Sequence, residues 1–283
     1  MEEKVLCFFH ANCVDGAASA AVIRHKYPNA KCYPMNHGDL LRAKVKGKKL
    51  FIVDFSFKPE ILKRFQKEAK SVHWYDHHIT AVPIQKEVGW GDIDLKESGA
   101  SLTWKKEFPD TPVPKIIQYV RDKDLYEFKL PDSRAISMYL RGVTNITNPL
   151  NEFWKDSLAG ISQEKWEGMI EKGNLALLFQ TATLKQGLRS AFEINFHDHR
   201  TLAINWALEA SDMGEMIYKD LGYDIALMFY YTGSIWNFSL RSDKVDVSKL
   251  ALKYGGGGHP GASGFRRESI DWLFKLKKKE KEK

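Results

Sequence analysis

Three short polar clusters in the first third of the chain carry the residue types of metal chemistry. They are His10-Ala11-Asn12-Cys13-Val14-Asp15-Gly16, the single Asp54, and Asp76-His77-His78. Imidazoles and carboxylates drawn together suit a divalent cation: manganese, zinc or iron, with manganese favoured as oxygen donors grow in number. Two such ions ~3.5–4 Å apart can activate a water and steady the leaving oxygen of a phosphate ester. Each cluster alone has a plainer reading, since an Asp after a strand is usually a turn former or a helix cap. Three of them at successive strand ends are hard to reconcile with coincidence.

The clusters owe their common position to what precedes them. Val5-Leu6-Cys7-Phe8-Phe9, Leu50-Phe51-Ile52-Val53 and Val72-His73-Trp74-Tyr75 read as strands, each ending where a cluster begins. Helical patterns over 17–27, 59–70, 99–108 and 115–121 alternate with them, which predicts a parallel sheet with crossover helices. The carboxyl ends of neighbouring parallel strands open onto one crevice, the usual ligand site of such sheets. In the first of these helices, Ala18, Ala21 and Val22 are expected to lie against the sheet.

Residues 148–188 read as helical, marked by Trp166, Ile170 and Leu177. Beyond them, 201–206, 224–231 and 235–240 read as strands and 212–221 and 247–254 as helices. His197-Asp198-His199 looks like a ligand set but falls between strands, where a surface turn is expected. Near the end stands Gly255-Gly256-Gly257-Gly258-His259-Pro260-Gly261-Ala262-Ser263-Gly264-Phe265. Backbone N–H groups in a glycine run can approach an anion unobstructed. His259 at its edge and Arg241 at the end of a strand could meet a phosphate.

These motifs together resemble the DHH phosphoesterase superfamily with its DHH-associated carboxyl-terminal domain, and within it the nanoRNase-like phosphodiesterases. Asp76-His77-His78 is the name-giving triplet, and the GGGGHPGASGF run with Arg241-Ser242 and Val245-Asp246-Val247 is similar to the second domain's signature. The resemblance runs from about His10 to Phe265 and leaves the middle of the chain unmatched. It implies an α/β fold: an N-terminal parallel-sheet DHH domain (1–145), a helical connection (146–190), a smaller α/β DHH-associated domain (191–274) and a basic tail (275–283).

The same resemblance implies two metal ions, usually manganese. His10 and Asp15 would be ligands from the first motif, Asp54 would bridge the ions, and His77 would ligate directly with Asp76 orienting it. His78 would face the substrate phosphate. A fourth motif would supply Asp124, favoured by the spacing to Phe128, or Asp122. Arg241, Ser242, Gly257, Gly258 and His259 would hold the substrate across the cleft between the domains. One departure stands out: the family commonly has two aspartates two residues apart in the first motif, and here Cys13 precedes Asp15. Cys13 either ligates through its thiolate or packs while another group fills in.

The implied activity is hydrolysis of short oligonucleotides or linear or cyclic dinucleotides by a metal-bridged hydroxide. A 3′-phosphatase acting on adenosine bisphosphate and a catalytically silent nucleotide sensor are the alternatives. Composition supports a small substrate. The formal charge is +7, yet residues 275–283 hold six lysines against two glutamates, so most of that excess sits in the tail. A protein that tracks a long polyanion needs a basic stripe on its folded surface, so no long nucleic-acid partner is required. No apolar run approaches the ~20 residues of a membrane span, and Cys7, Cys13 and Cys32 are too few and too close for a disulfide framework. A cytoplasmic protein with no membrane partner is expected, and a homodimer is compatible with it.

Overall fold

The computed structural model describes residues 4–40 and 43–276. The chain divides after Leu177 into two compact units. The first contains β1 (Val5–His10), α1 (Val14–Lys26), β2 (Lys31–Met35), β3 (Lys49–Val53), α2 (Pro59–Glu68), β4 (Ser71–Asp76), α3 (Ala81–Val88), β5 (Asp92–Ile93), α4 (Gly99–Glu107), α5 (Lys115–Asp124), α6 (Ser133–Gly142) and α7 (Glu152–Ala159). The long helix α8 (Gln163–Gly187) runs across the division.

The sheet of this unit has the order β2-β1-β3-β4-β5, and every pair in it is parallel. Both faces are covered, which is why β1 and β3 are nearly unbroken apolar runs. Leu6 and Phe8 point to one side, where they meet Leu50, Ile52, Leu62 and Phe65. Val5, Cys7 and Phe9 point to the other, against Ala17, Ala20 and Ile23 of α1. The expected α1 contact is therefore corrected. Ala17 and Ala20 face the sheet, whereas Ala18, Ala21 and Val22 face a helical layer with Trp104, Ile116, Val120 and Trp154. Alanine on both sides lets one helix lie between two layers.

The three strands read from sequence are present, and β2 and β5 join them at the two edges. Pro34 within β2 removes a ladder donor, a loss tolerated at a sheet edge. Residues 146–177 do not stand apart as a connection. Phe153, Trp154, Leu158, Trp166 and Met169 are buried in the first unit's helical core.

The second unit holds β6 (Phe192–Phe196), β7 (His199–Asn205), α9 (Ala210–Glu215), β8 (Ile225–Tyr231), β9 (Trp236–Arg241), α10 (Val247–Lys253), β10 (Gly257–His259), β11 (Ala262–Arg267) and α11 (Asp271–Lys275). Its mixed sheet runs β10-β11-β9-β8-β7-β6, antiparallel except between β7 and β8. His197 and Asp198 form the β6–β7 turn with φ of 51° and 65°, as their reading as a surface loop anticipates. From residue 277 onward the basic tail lies outside the described residues. No helix among the described residues is long and apolar enough to cross a membrane.

Candidate metal centre

The three polar clusters meet at the carboxyl ends of β1, β3 and β4, the strand ends at which the sequence reading puts them. His10 is the last residue of β1, and the chain then turns through Asn12 (φ 55°) into Cys13, the residue capping α1. Gly16 lies so close beneath this turn that a Cβ there would sit 2.4 Å from the His10 carbonyl oxygen. Asp54 follows β3 in left-handed backbone (φ 53°), a conformation Asp tolerates better than most residues. His77 and His78 follow β4, and Asp124 closes α5.

Asp54 is the hinge of the arrangement. Its Oδ1 lies 3.0 Å from His77 Nε2, and its Oδ2 lies 3.6 Å from His10 Nδ1. Three donor sets form at or beside it among the described residues, each with its donor atoms within 4.8 Å of one another: His10, Cys13 and Asp54; Asp15, His77 and Asp124; and Asp54, Asp76, His77 and His78. His77 Nε2 is 3.8 Å from Asp15 and 3.5 Å from Asp124. Asp54 is 1% exposed, and its Oδ2 has no hydrogen-bond partner. A buried carboxylate oxygen without a donor is costly, and a cation between it and His10 would satisfy it. By this test the residues present fit a divalent metal.

The charge balance points the same way. Burial pulls the His77 imidazole down, but its hydrogen bond to Asp54 and the charges of Asp15, Asp124 and Asp54 outweigh that and push it up to about 9. Burial raises Asp54, yet the imidazoles of His10, His77 and His78 bring it down to about 2. Asp15 is raised, first by burial and then by the charges of Asp54 and Asp124. Asp124 is raised by burial as well, with His77 opposing. Three carboxyl groups thus crowd around His77, an arrangement of acidic groups that a bound cation stabilises.

Asp15 carries a second duty that the sequence reading missed. Its Oδ2 accepts the Gly99 N–H at 2.6 Å and its Oδ1 the Ala100 N–H at 3.0 Å, so it caps the first turn of α4. Gly99 is needed there because a Cβ would sit 2.5 Å from Asp54 Cβ. The signal available was Ser98-Gly99-Ala100-Ser101, an N-cap pattern in which Ser98 and Ser101 cap each other.

Two expected roles change. Asp76 does not orient the His77 ring. Its Oδ1 receives His78 Nδ1 at 2.7 Å together with the backbone N–H groups of His77 and His78. Its other oxygen accepts the Ser56 hydroxyl. The His77 ring turns instead toward Asp54, so the ring that Asp76 fixes is that of His78. Asp122 is not brought to the cluster. Two residues apart on a helix are ~200° apart around the axis, so Asp122 and Asp124 face opposite ways. The Asp122 carboxylate accepts the N–H groups of Lys129 at 2.9 Å and Leu130 at 3.2 Å, stitching the loop after α5.

In the second unit, Arg241 ends β9 and donates to Ser211 Oγ at 3.3 Å and to the Leu240 carbonyl at 2.9 Å. Ser242 is buried, and its hydroxyl is engaged with the Asp224 carbonyl and the Lys244 and Val245 N–H groups. It holds a turn and has no free group for a substrate. The glycine run is not an open anion loop: Gly257, Gly258 and His259 form an edge strand paired with Gly264, Ser263 and Ala262. A Cβ at Gly258 would meet the Ala262 carbonyl oxygen at 2.6 Å, which explains that glycine by packing alone. Gly257 has nothing within 4 Å of such an atom, and His259 is exposed.

A cavity of about 860 Å³ opens beside the β1–α1 loop, lined among others by Asn12, Arg24, Tyr33 and Asn145. None of the clustered donors lines it, so the chemistry is located by the donors and not by this hollow.

No protein-family model matches the chain. The uncharacterized protein R106 of Acanthamoeba polyphaga mimivirus is 25% identical over 302 residues, covering 95% of this chain and 69% of that protein. Among solved structures, the pGpG-specific phosphodiesterase PggH from Vibrio cholerae aligns over 97% of this chain and 96% of that one, at 14% identity and a TM-score of 0.61. An exopolyphosphatase-related protein from Bacteroides fragilis aligns over 97% and 90%, at 14% identity and a TM-score of 0.51. At such identities the likeness is one of fold: both the parallel N-terminal sheet and the second mixed sheet lie within the aligned span.

Proposed function

We propose that this protein is a metal-dependent phosphodiesterase that hydrolyses short oligonucleotides or dinucleotides, with two divalent ions, manganese first among them. The observation that carries this reading is Asp54, whose two oxygens face two separate donor sets while one of them, buried, lacks any hydrogen bond. A carboxylate so disposed is what a two-ion site requires. Bound ions would supply a water of lowered pKa and offset charge on the phosphate.

The chain's own residues then have distinct tasks. Asp15, Asp54, Asp124, His10 and His77 hold the cation set. Asp76 fixes His78 through Nδ1, leaving Nε2 of this 35%-exposed side chain to meet a phosphate oxygen. The His78 imidazole is pulled down by burial, but its bond to Asp76 and the charges of Asp76 and Asp54 raise it overall. It therefore holds a proton more readily than a free imidazole and can give it to the leaving oxygen. Arg241 and His259 of the second unit are proposed as further substrate-binding residues.

The test is turnover of a small panel with manganese: pGpG first, because the PggH fold is similar, then a dinucleotide RNA, a five-nucleotide RNA, a cyclic dinucleotide and adenosine 3′,5′-bisphosphate. Cleavage abolished by chelator and by Asp54→Ala and His77→Ala is expected. Cleavage of the bisphosphate alone would move the reading to a 3′-phosphatase. Binding without turnover in every divalent metal would replace it with a nucleotide sensor.

A further inference from the structure

The first donor set departs from a carboxylate-only motif at one position, and the departure is chemical. Cys13 lies three residues after His10, and the positive φ of Asn12 turns the chain so that both side chains reach Asp54. His10 nitrogen, Cys13 sulfur and Asp54 oxygen lie within 4.8 Å of one another. That span is close to the sum of two metal–ligand bonds of ~2.0–2.3 Å each.

We propose that Cys13 is a thiolate ligand of the metal in this set, making the two metal positions chemically unequal. One would offer nitrogen, sulfur and oxygen and select a borderline cation such as zinc or iron(II). The other, built on Asp15, His77 and Asp124, would offer mainly oxygen and accept manganese. The inference rests on the metal-centre reading of the proposed function.

A packing role for Cys13 accounts for less. The thiol is partly exposed, and Cys13 belongs to none of the apolar clusters of the core. A thiol that merely packed beside Asp54 could donate its proton to the bare Oδ2, yet that oxygen has no hydrogen-bond partner. The Cys13 sulfur instead shares one donor group with His10 and Asp54, and the unpartnered Asp54 Oδ2 lies 3.6 Å from His10 Nδ1. On coordination the thiol proton passes to solvent, as metal–thiolate binding requires. Among the described residues, Cys7 and Cys32 belong to no such donor group.

Anaerobic cobalt(II) titration of the full chain tests this without any substrate. The expected result is visible d–d absorption together with a near-ultraviolet sulfur-to-cobalt charge-transfer band. Cys13→Ser and Cys13→Asp should lose the charge-transfer band and keep d–d absorption. Zinc affinity at one of the two positions should fall by at least about tenfold, the lower end for losing even an outer-shell partner. Cys13→Asp should regain manganese at that position. Wild-type d–d bands without charge transfer would overturn the thiolate ligand and leave the metal centre standing. Absence of any cobalt binding would overturn both.

Discussion

His78 Nδ1 lies 2.7 Å from Asp76 Oδ1, and the same oxygen receives the backbone N–H groups of His77 and His78. Asp76-His77-His78 is thus a self-braced unit in which the aspartate aims the second histidine. Replacing Asp76 by Asn keeps an acceptor for Nδ1 and removes the charge that helps raise the imidazole. The expected outcome is a kcat profile whose alkaline limb moves to lower pH, since His78 then loses its proton sooner. His78→Ala should cost roughly 10²–10⁴-fold in kcat, the usual range for a general acid. A profile unchanged in Asp76→Asn would mean that His78 does not supply the proton.

Gly99 offers a sharper steric test. A Cβ there meets Asp54 Cβ at 2.5 Å and Asp15 Oδ2 at 3.0 Å, inside van der Waals contact with two cluster residues. Gly99→Ala should destabilise the protein by about 1–3 kcal/mol, as overpacking does, and weaken manganese binding. Gly257→Ala is the control: nothing lies within 4 Å of its Cβ, so stability and metal affinity should hold. Urea unfolding and a manganese titration of both variants check this.

How far the sequence carried the reading depends on the range of each signal. β1, β3 and β4 announce themselves as buried apolar runs, and their ends locate His10, Asp54 and His77. β2 hides because Lys31 and Pro34 break its pattern, which only an edge position permits. The capture of Asp15 by α4 joins residues 84 and 85 apart in the chain, where local periodicity carries no information. The glycine run misleads for the opposite reason. Glycine weakens strand signals, yet here Gly257 and Gly258 pair with β11, which leaves no room for a Cβ at Gly258 but does at Gly257. Asp124 is favoured over Asp122 by its spacing to Phe128, while the helix phase that turns Asp122 away needs the end of α5, which local periodicity does not fix.

Metal binding should expel a proton. In the chelated protein His77 titrates at about 9, so between pH 6.5 and 9 it is protonated and must lose that proton to ligate. Manganese affinity should therefore rise with pH and flatten above about 9. Calorimetry in buffers of different ionisation enthalpy should find at least one proton released at pH 7.5. Stability without metal runs the other way. A pKa raised in the folded state contributes fully below the unfolded value of about 6.5 and is lost as pH rises through 9. The raised Asp15 and Asp124 act with the same sign. Unfolding midpoints in chelator should fall from pH 6 to pH 10, and a rising trend would contradict the charge assignment.

The pair Asp122 and Asp124 separates structure from metal binding most cleanly. Asp122 is buried, and its two oxygens serve Lys129 and Leu130 N–H groups in a loop where Tyr126 and Phe128 adopt φ of 56° and 49°. Asp122→Ala leaves those donors unserved and should cost about 1–3 kcal/mol of stability, with cobalt binding preserved in the folded fraction. Asp124→Asn removes a charge beside His77, 3.5 Å away, and should weaken metal binding while unfolding stays near wild type. Because the two helix positions face opposite sides, each variant should move one quantity and spare the other. Matched losses of metal from both would return Asp122 to the ligand set.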